Sequence, residues 1–203
     1  CNHLCENMCN RVKIDEPIAI RGIKRFITDW LLEHDGKFPL PAMEPENGKR
    51  VAVVGSGPSG LSCAFYLRKK GYEVTVFEAL DVIGGMLAVG LPEYRLPQEK
   101  FAKELELFKE MGINFVTGKR IGEDLGLAEL RALGYMAVYL AVGDHNDRKL
   151  GVAGEDLEGV TSGVAFLRSV KTGGGCDLEG KEVAVVGGGN VSMDCARTAI
   201  RLG

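Results

Sequence analysis

The sequence predicts an α/β chain, with parallel strands alternating with helices in two dinucleotide-binding units behind a short helical lead segment. Three observations predict it. An apolar run at residues 51–54 opens onto Gly55, Gly57 and Gly60, a G-x-G-x-x-G spacing. A helix-forming stretch and a second, alternating apolar run follow and deliver Glu78, eighteen residues after Gly60. The arrangement then recurs: residues 180–203 repeat residues 48–71 at a constant offset of 132, with 11 of 24 positions identical.

Each part of the first unit has a physical reason. No polar residue interrupts Val51, Ala52, Val53 and Val54, so the strand reads as buried on both faces. Gly55 makes the tight turn, Gly57 lets the backbone approach a pyrophosphate, and Gly60 lets the next helix pack close to the strand. Ser56, Pro58 and Ser59 complete the turn. Residues 61–70 continue as helix, Gly71 ends it, and residues 73–77 alternate as a second strand. The carboxylate of Glu78, at the end of that strand, can accept hydrogen bonds from the ribose hydroxyls of an adenosine. A glycine-rich turn alone is common; strand, helix, strand and terminal acid together favour dinucleotide binding over a bare turn.

The repeat keeps VAVVG, both turn glycines, a Cys-Ala pair (Cys63-Ala64, Cys195-Ala196) and the terminal Gly. Ser192 replaces the third turn glycine, and is small enough for fairly close helix packing. Two Rossmann-like units in one chain suggest two dinucleotides that exchange electrons. Duplication without function is the alternative.

Ahead of these units, Cys1, Cys5 and Cys9 stand at C-x3-C-x3-C spacing. On a helix that spacing stacks the three sulfurs on consecutive turns. Neighbouring turns are poorly placed for disulfides, whereas converging thiolates suit a soft metal centre. An iron–sulfur cluster usually takes four Cys, so at least one ligand would lie outside this segment. Zinc with His3 is a second candidate, and three incidental cysteines a third. Residues 14–34 then read as an amphipathic helix that starts at Pro17. Ile20, Ile23, Ile27, Trp30 and Leu31 form its inner face, with Trp30 in the core. Arg21, Lys24 and Arg25 form a solvated face, with docking of an acidic redox partner as a minor possibility. Residues 36–47, with Pro39, Pro41 and Pro45, read as an extended linker.

Between the two units, Gly84-Gly85 followed by Met86 and Leu87 offers backbone with little side-chain bulk beside an apolar surface. That suits the edge of an isoalloxazine ring, or an ordinary loop. Residues 98–111 read as an amphipathic helix with Phe101, Leu105, Phe108 and Met111 inward, and residues 113–116 as a short strand. Residues 124–133 read as helix, 135–142 as a buried strand ending at Gly143, and 164–170 as a short helix within a Gly-rich crossover.

Composition excludes several classes. With 203 residues, 45% hydrophobic and 26% charged, the chain is ordinary globular material. A net charge of −3 and a pI near 5.7 lack the footprint of a nucleic-acid binder. No apolar run is long enough to span a bilayer and no signal peptide is visible, so a cytoplasmic protein without membrane insertion is expected. No Ser–His–Asp set, paired-carboxylate motif or H-E-x-x-H occurs. Cys63 and Cys195 occupy equivalent helix positions and read as buried small hydrophobes, not as a redox pair. Hydride transfer between nicotinamide and flavin needs two rings held face to face, with no protein acid or base. The first residue is Cys and the sequence stops just past a helix, so both ends are expected to be cut from something longer.

Taken in order, CNHLCENMCNR, DEPIAIRGIKRF, GKRVAVVGSGPSGLSCAFYL, VTVFEALDVIGGMLAVGLPEYRLP, YLAVG and GKEVAVVGGGNVSMDCARTAIRLG resemble the small (beta) subunit of NADPH-dependent glutamate synthase and related iron–sulfur flavoproteins. The resemblance covers essentially the whole chain, and GGML…LPEYRLP is its most discriminating stretch. It implies an FAD/NAD(P)-binding Rossmann-like flavoprotein with two dinucleotide-binding domains, preceded by a small α-helical iron–sulfur domain. By the same resemblance, Cys1, Cys5 and Cys9 would ligate 4Fe–4S clusters. Gly55 to Gly60, Glu78, Gly85, Met86, Leu87 and Arg95 would line FAD, with Ile121 near adenine and Ala141, Val142 and Gly143 near the pyrophosphate. Gly187, Gly189, Asn190 and Val191 would begin the NAD(P)H site.

The implied domains are a helical iron–sulfur segment at 1–35, a linker at 36–47, an FAD domain at 48–165 and the start of an NAD(P)H domain at 166–203. The implied activity passes electrons from NAD(P)H through FAD and clusters to a larger catalytic subunit or ferredoxin. These residues alone are expected to be inactive, because the second unit lacks its later strands. A non-catalytic scaffold or docking subunit is the alternative; intact turn glycines with Glu78 weigh against it.

Overall fold

The computed structural model describes residues 3–203, which divide into two compact units, one ending at Leu40 and one over Pro41–Gly203. The division falls inside the stretch expected as linker.

In the first unit, α1 (Leu4–Asn7) and a short 3-10 turn (Asn10–Lys13) precede the long helix α2 (Ile20–His34). Glu6 joins them. Its carboxylate accepts the Arg21 N–H at 2.8 Å, satisfying a donor in the first turn of α2, and lies 3.1 Å from His3 Nδ1. The structure corrects three expectations here. Helix α2 starts at Ile20 rather than at Pro17, because the Glu6 cap sets its first turn. Trp30 is 45% exposed and stacks on His34 at 4.3 Å, and Leu32 is the buried residue of α2. One long helix flanked by short turns has too little facing surface within its own unit to cover an apolar stripe. Finally, the continuous helix that would stack the cysteines does not form. Helix α1 ends at Asn7, Cys9 leads into the 3-10 turn, and Cys1 lies outside the described residues.

In the second unit, β1 (Arg50–Val54), α3 (Pro58–Lys69) and β2 (Glu73–Phe77) are followed by α4 (Met86–Val89), α5 (Gln98–Glu110) and β3 (Asn114–Val116). Then come α6 (Leu127–Ala132), β4 (Tyr135–Leu140), α7 (Gly163–Lys171) and α8 (Asn190–Arg201). The described strands form a parallel sheet in the order β3-β2-β1-β4. Parallel neighbours require crossovers, and α3 supplies the one between β1 and β2. Arg50 stands opposite Glu73 and Val54 opposite Phe77. The Arg50 guanidinium lies 3.0 Å from the Glu73 carboxylate, donates to the Leu133 carbonyl at 2.6 Å and stacks on the Tyr135 ring.

Alternation along β1 sends side chains to both faces, and both are covered. Val53 joins Ala64, Val74, Val76, Met111 and Ile113. Ala52 joins Phe77, Leu130 and Tyr135. A third cluster, Leu61, Ala88, Val89 and Phe101, packs α3 against α4 and α5. Cys195 is buried and Cys63 is half-buried beside the first cluster.

Two strand expectations are corrected. β4 is an edge strand: Tyr135 is buried, but Met136, Tyr139 and Leu140 are exposed. The second VAVV, residues 183–186, is not a strand; no described strand pairs with it, and Val186 is 77% exposed. Its helix nevertheless forms: α8 packs on α7, with Cys195 Sγ 3.5 Å from the Gly163 carbonyl oxygen. No described helix is long and apolar enough to cross a membrane.

Truncation of the enclosed Met111, 1% exposed, should lower stability by about 2–5 kcal/mol in chemical denaturation. Val186→Ala should change it by no more than about 0.5 kcal/mol.

Candidate dinucleotide site

The glycine turn after β1 is held by contacts that leave no room for side chains. Gly55 has φ +104°, and its N–H donates to the Phe77 carbonyl at 2.7 Å. A methyl on Gly55 would lie 2.2 Å from the Ala141 carbonyl oxygen, and one on Gly60 1.9 Å from the Gly55 carbonyl oxygen. Helix α3 therefore starts directly against the end of β1. Gly57 differs: among the described residues nothing lies within 4 Å of where its methyl would stand. No described side chain caps α3, and Pro58 at its start has no N–H to satisfy. The exposed face of the turn thus combines bare backbone with the positive end of a 12-residue helix, an arrangement suited to a phosphate.

Beneath the turn lies Glu78, 7% exposed, at the end of β2. Its Oε2 accepts the Ser56 N–H at 2.9 Å and the Ser56 hydroxyl at 2.5 Å, and its Oε1 accepts the Leu80 N–H at 2.9 Å. Ser56, fully buried, in turn accepts the Gly84 N–H at 2.9 Å. A carboxylate offers about four acceptor positions, so these three donors leave room for one more, such as a ribose hydroxyl. Sequence reasoning assigned Glu78 to the ribose alone; the structure shows it holding the turn.

Several of the other expected residues connect to this turn or to the strand ends beside it. Gly85, φ +54°, would place a methyl 2.9 Å from the Gly57 Cα, and one on Gly84 would strike the Phe101 ring at 2.5 Å. Both glycines are therefore demanded by packing, and they bring Met86 and Leu87, the first residues of α4, next to the turn. Ala141 extends the β4 pairing, its N–H donating to the Val54 carbonyl, and leads out through exposed Val142 to Gly143. Lys119 N–H donates to the Glu78 carbonyl at 2.9 Å, and Ile121, two residues on, packs against the cluster of Ala52, Phe77, Leu130 and Tyr135. Tyr139, not singled out from sequence, reaches the first turn of α3, its hydroxyl 3.0 Å from Ser59 Oγ.

At the second turn Gly187 has φ +125°, and its methyl would lie 2.6 Å from the Oγ of Ser192, the residue that stands where the first turn has Gly60. Around Gly188 and Gly189 the described residues leave open space, and Asn190 and Val191 start α8 exposed. Arg95 reaches this half: its Nε donates to the buried Asp194 at 2.5 Å, and the Tyr94 hydroxyl donates to the same oxygen at 2.9 Å. Sequence reasoning missed Asp194. The available signal was an acid at a helix position where the first repeat has Ser62.

Of the expected metal ligands, Cys5 stands in α1 and Cys9 at the start of the 3-10 turn, and Cys1 lies outside the described residues. Among the described residues no group of three or more His, Cys, Asp or Glu could hold a metal ion. Backbone N–H groups of Ile18 and Arg11 hold the Cys9 thiol below its ordinary value, whereas burial raises Cys63 and Cys195.

Replacing Ser56 by Ala removes one donor from Glu78 and leaves the Gly84 N–H without its partner. It should lower stability by about 1–3 kcal/mol in chemical denaturation.

Comparison with known proteins is consistent with this architecture. A profile described as pyridine nucleotide-disulphide oxidoreductase matches residues 20–129 and 49–203. Over its whole length the chain is 45% identical to the NADP(+)-dependent formate dehydrogenase subunit beta of Moorella thermoacetica, covering 32% of that protein. It is 34% identical to the glutamate synthase [NADPH] small chain of Escherichia coli strain K12, covering 44% of it. The chain thus spans a third to under half of the length of these two relatives. Among solved structures, Mycobacterium tuberculosis FprA in complex with NADPH superposes with a TM-score of 0.63 and 29% identity, over 76% of this chain and 36% of that one. The resemblance to glutamate synthase small chains holds as relatedness, and the α/β dinucleotide-binding class holds with it. With the profile extending over residues 49–203, the chain belongs to the pyridine nucleotide-disulphide oxidoreductase family.

Proposed function

We propose that this chain is part of an oxidoreductase module that passes electrons between NAD(P)H and FAD, with FAD in the first glycine turn and the nicotinamide dinucleotide at the second. The observation that carries this reading is the bare Gly57 face at the start of α3, set directly above the hydrogen-bonded Glu78. FAD would be held by residues 55–60, Glu78, Gly85, Met86, Leu87 and Arg95, with Ile121 and Ala141 to Gly143 at its borders. Gly187, Gly189, Asn190 and Val191 would hold the other dinucleotide. Bound flavin accepts a hydride from reduced nicotinamide and can hand electrons on singly. The chain's own residues orient the two groups, and the relatives named for NADP and NADPH support NADP as the second dinucleotide.

By the same reading Cys1, Cys5 and Cys9 belong to a 4Fe–4S centre, and the acceptor is a larger catalytic subunit or ferredoxin. The name "subunit beta" of the Moorella relative supports a partner subunit. The described thiols by themselves do not compose a complete cluster site.

Mass spectrometry of the cofactor released from the native protein should find FAD; NAD, or no nucleotide, would overturn the reading. Glu78→Ala should weaken FAD by about 1–3 kcal/mol in titration of the apoprotein. Native protein purified without oxygen should contain iron and acid-labile sulfide. Stoichiometric zinc without sulfide would refute the cluster.

A further inference from the structure

Three consecutive side chains between the two repeats reach α7 or α8. Glu93 lies 2.7 Å from Lys171 Nζ on α7. Tyr94 donates its hydroxyl to Asp194, and its ring receives the guanidinium groups of Arg197 and Arg201, 4.4 and 4.3 Å from its centroid. Arg95 donates to the same Asp194 oxygen. Asp194 is 5% exposed, and a buried carboxylate is costly unless charges and donors face it. Those donors come from residues 94 and 95, a hundred positions away. Nothing intrinsic to the helix demands an acid there, since the first repeat has Ser62.

The other end of this segment is tied to the first turn. Gly85 lies against Gly57, α4 follows it, and the Gly90 and Leu91 N–H groups both return to the Met86 carbonyl. The Arg95 and Leu96 N–H groups both donate to the Pro92 carbonyl. Little slack remains in the nine residues between Gly85 and Arg95.

We infer that Glu93, Tyr94 and Arg95 form a clamp that sets α8, and with it the Gly187–Gly189 turn, against the loop flanking the first glycine turn, and that Asp194 is its positioning residue. The inference rests on the proposed pairing of two dinucleotides and gives it a mechanical basis. Ring-to-ring transfer demands contact near 3–3.5 Å, so a small rotation of α8 reduces the rate without abolishing binding.

The test compares the native protein with Asp194→Asn, which removes the charge at nearly constant shape, and Tyr94→Phe, which removes one donor and keeps the ring. Hydrogen exchange should quicken at residues 86–97 and 187–201 together in both variants. Rapid mixing with NADPH should show flavin reduction slowed by roughly tenfold or more in Asp194→Asn, and less in Tyr94→Phe, with the NADPH dissociation constant changed by less than about threefold. Unchanged exchange in folded variants would overturn the clamp whatever cofactor is bound. Faster exchange with parental reduction rates would overturn the positioning role. Native protein without flavin would sink the functional reading instead, and the exchange measurement would still decide the clamp.

Discussion

The buried carboxylate of Glu78 fixes the geometry on which the rest of the second unit depends. It takes hydrogen bonds from the turn after β1, from the backbone after β2 and, through the Ser56 hydroxyl, holds the start of the glycine pair at 84–85. Three segments far apart in sequence thus meet at one charged group. An ionised carboxylate removed from water without partners would cost several kcal/mol, so the turn, the strand end and the loop are stable only together. With them in register, α3 begins hard against β1 and its N-terminal backbone stays bare.

Much of this could be read from the sequence because it is local. The glycine spacing, the length of α3 and the position of Glu78 follow from turn geometry and short-range periodicity. Where reading failed, a distant contact decided. The start of α2 is set by Glu6, which no helix-start signal near Pro17 reveals. Trp30 sits on an amphipathic helix, but a stripe becomes core only where something faces it. YMAVYL has a strand's composition and becomes a strand, yet it lies at the edge of the sheet, so its apolar side chains stay partly exposed.

The two copies of VAVV make the point most directly. Residues 51–54 are a buried strand between β2 and β4, and residues 183–186 are irregular. The tetrapeptide is the same; the neighbours differ. Strand formation rewards pairing and packing, and among the described residues the second copy has no strand to pair with. The site follows the same rule: the glycines were legible, whereas the bonds from Asp194 to Tyr94 and Arg95 span about a hundred residues and leave no periodic trace.

Those identical tetrapeptides create a hazard of mistaken identity, and Arg50 resolves it. GKRVAVVG and GKEVAVVG could compete for the same slot beside β2 while the chain folds. In that slot Arg50 faces Glu73 and lies on Tyr135; the rival would bring Glu182, setting two carboxylates opposite one another. As an exposed ion pair Arg50–Glu73 adds little to stability. As an address label it does more, since like charges opposed across strands penalise the wrong copy. The difference between two energies, rather than the size of either, decides which VAVV becomes the centre of the sheet.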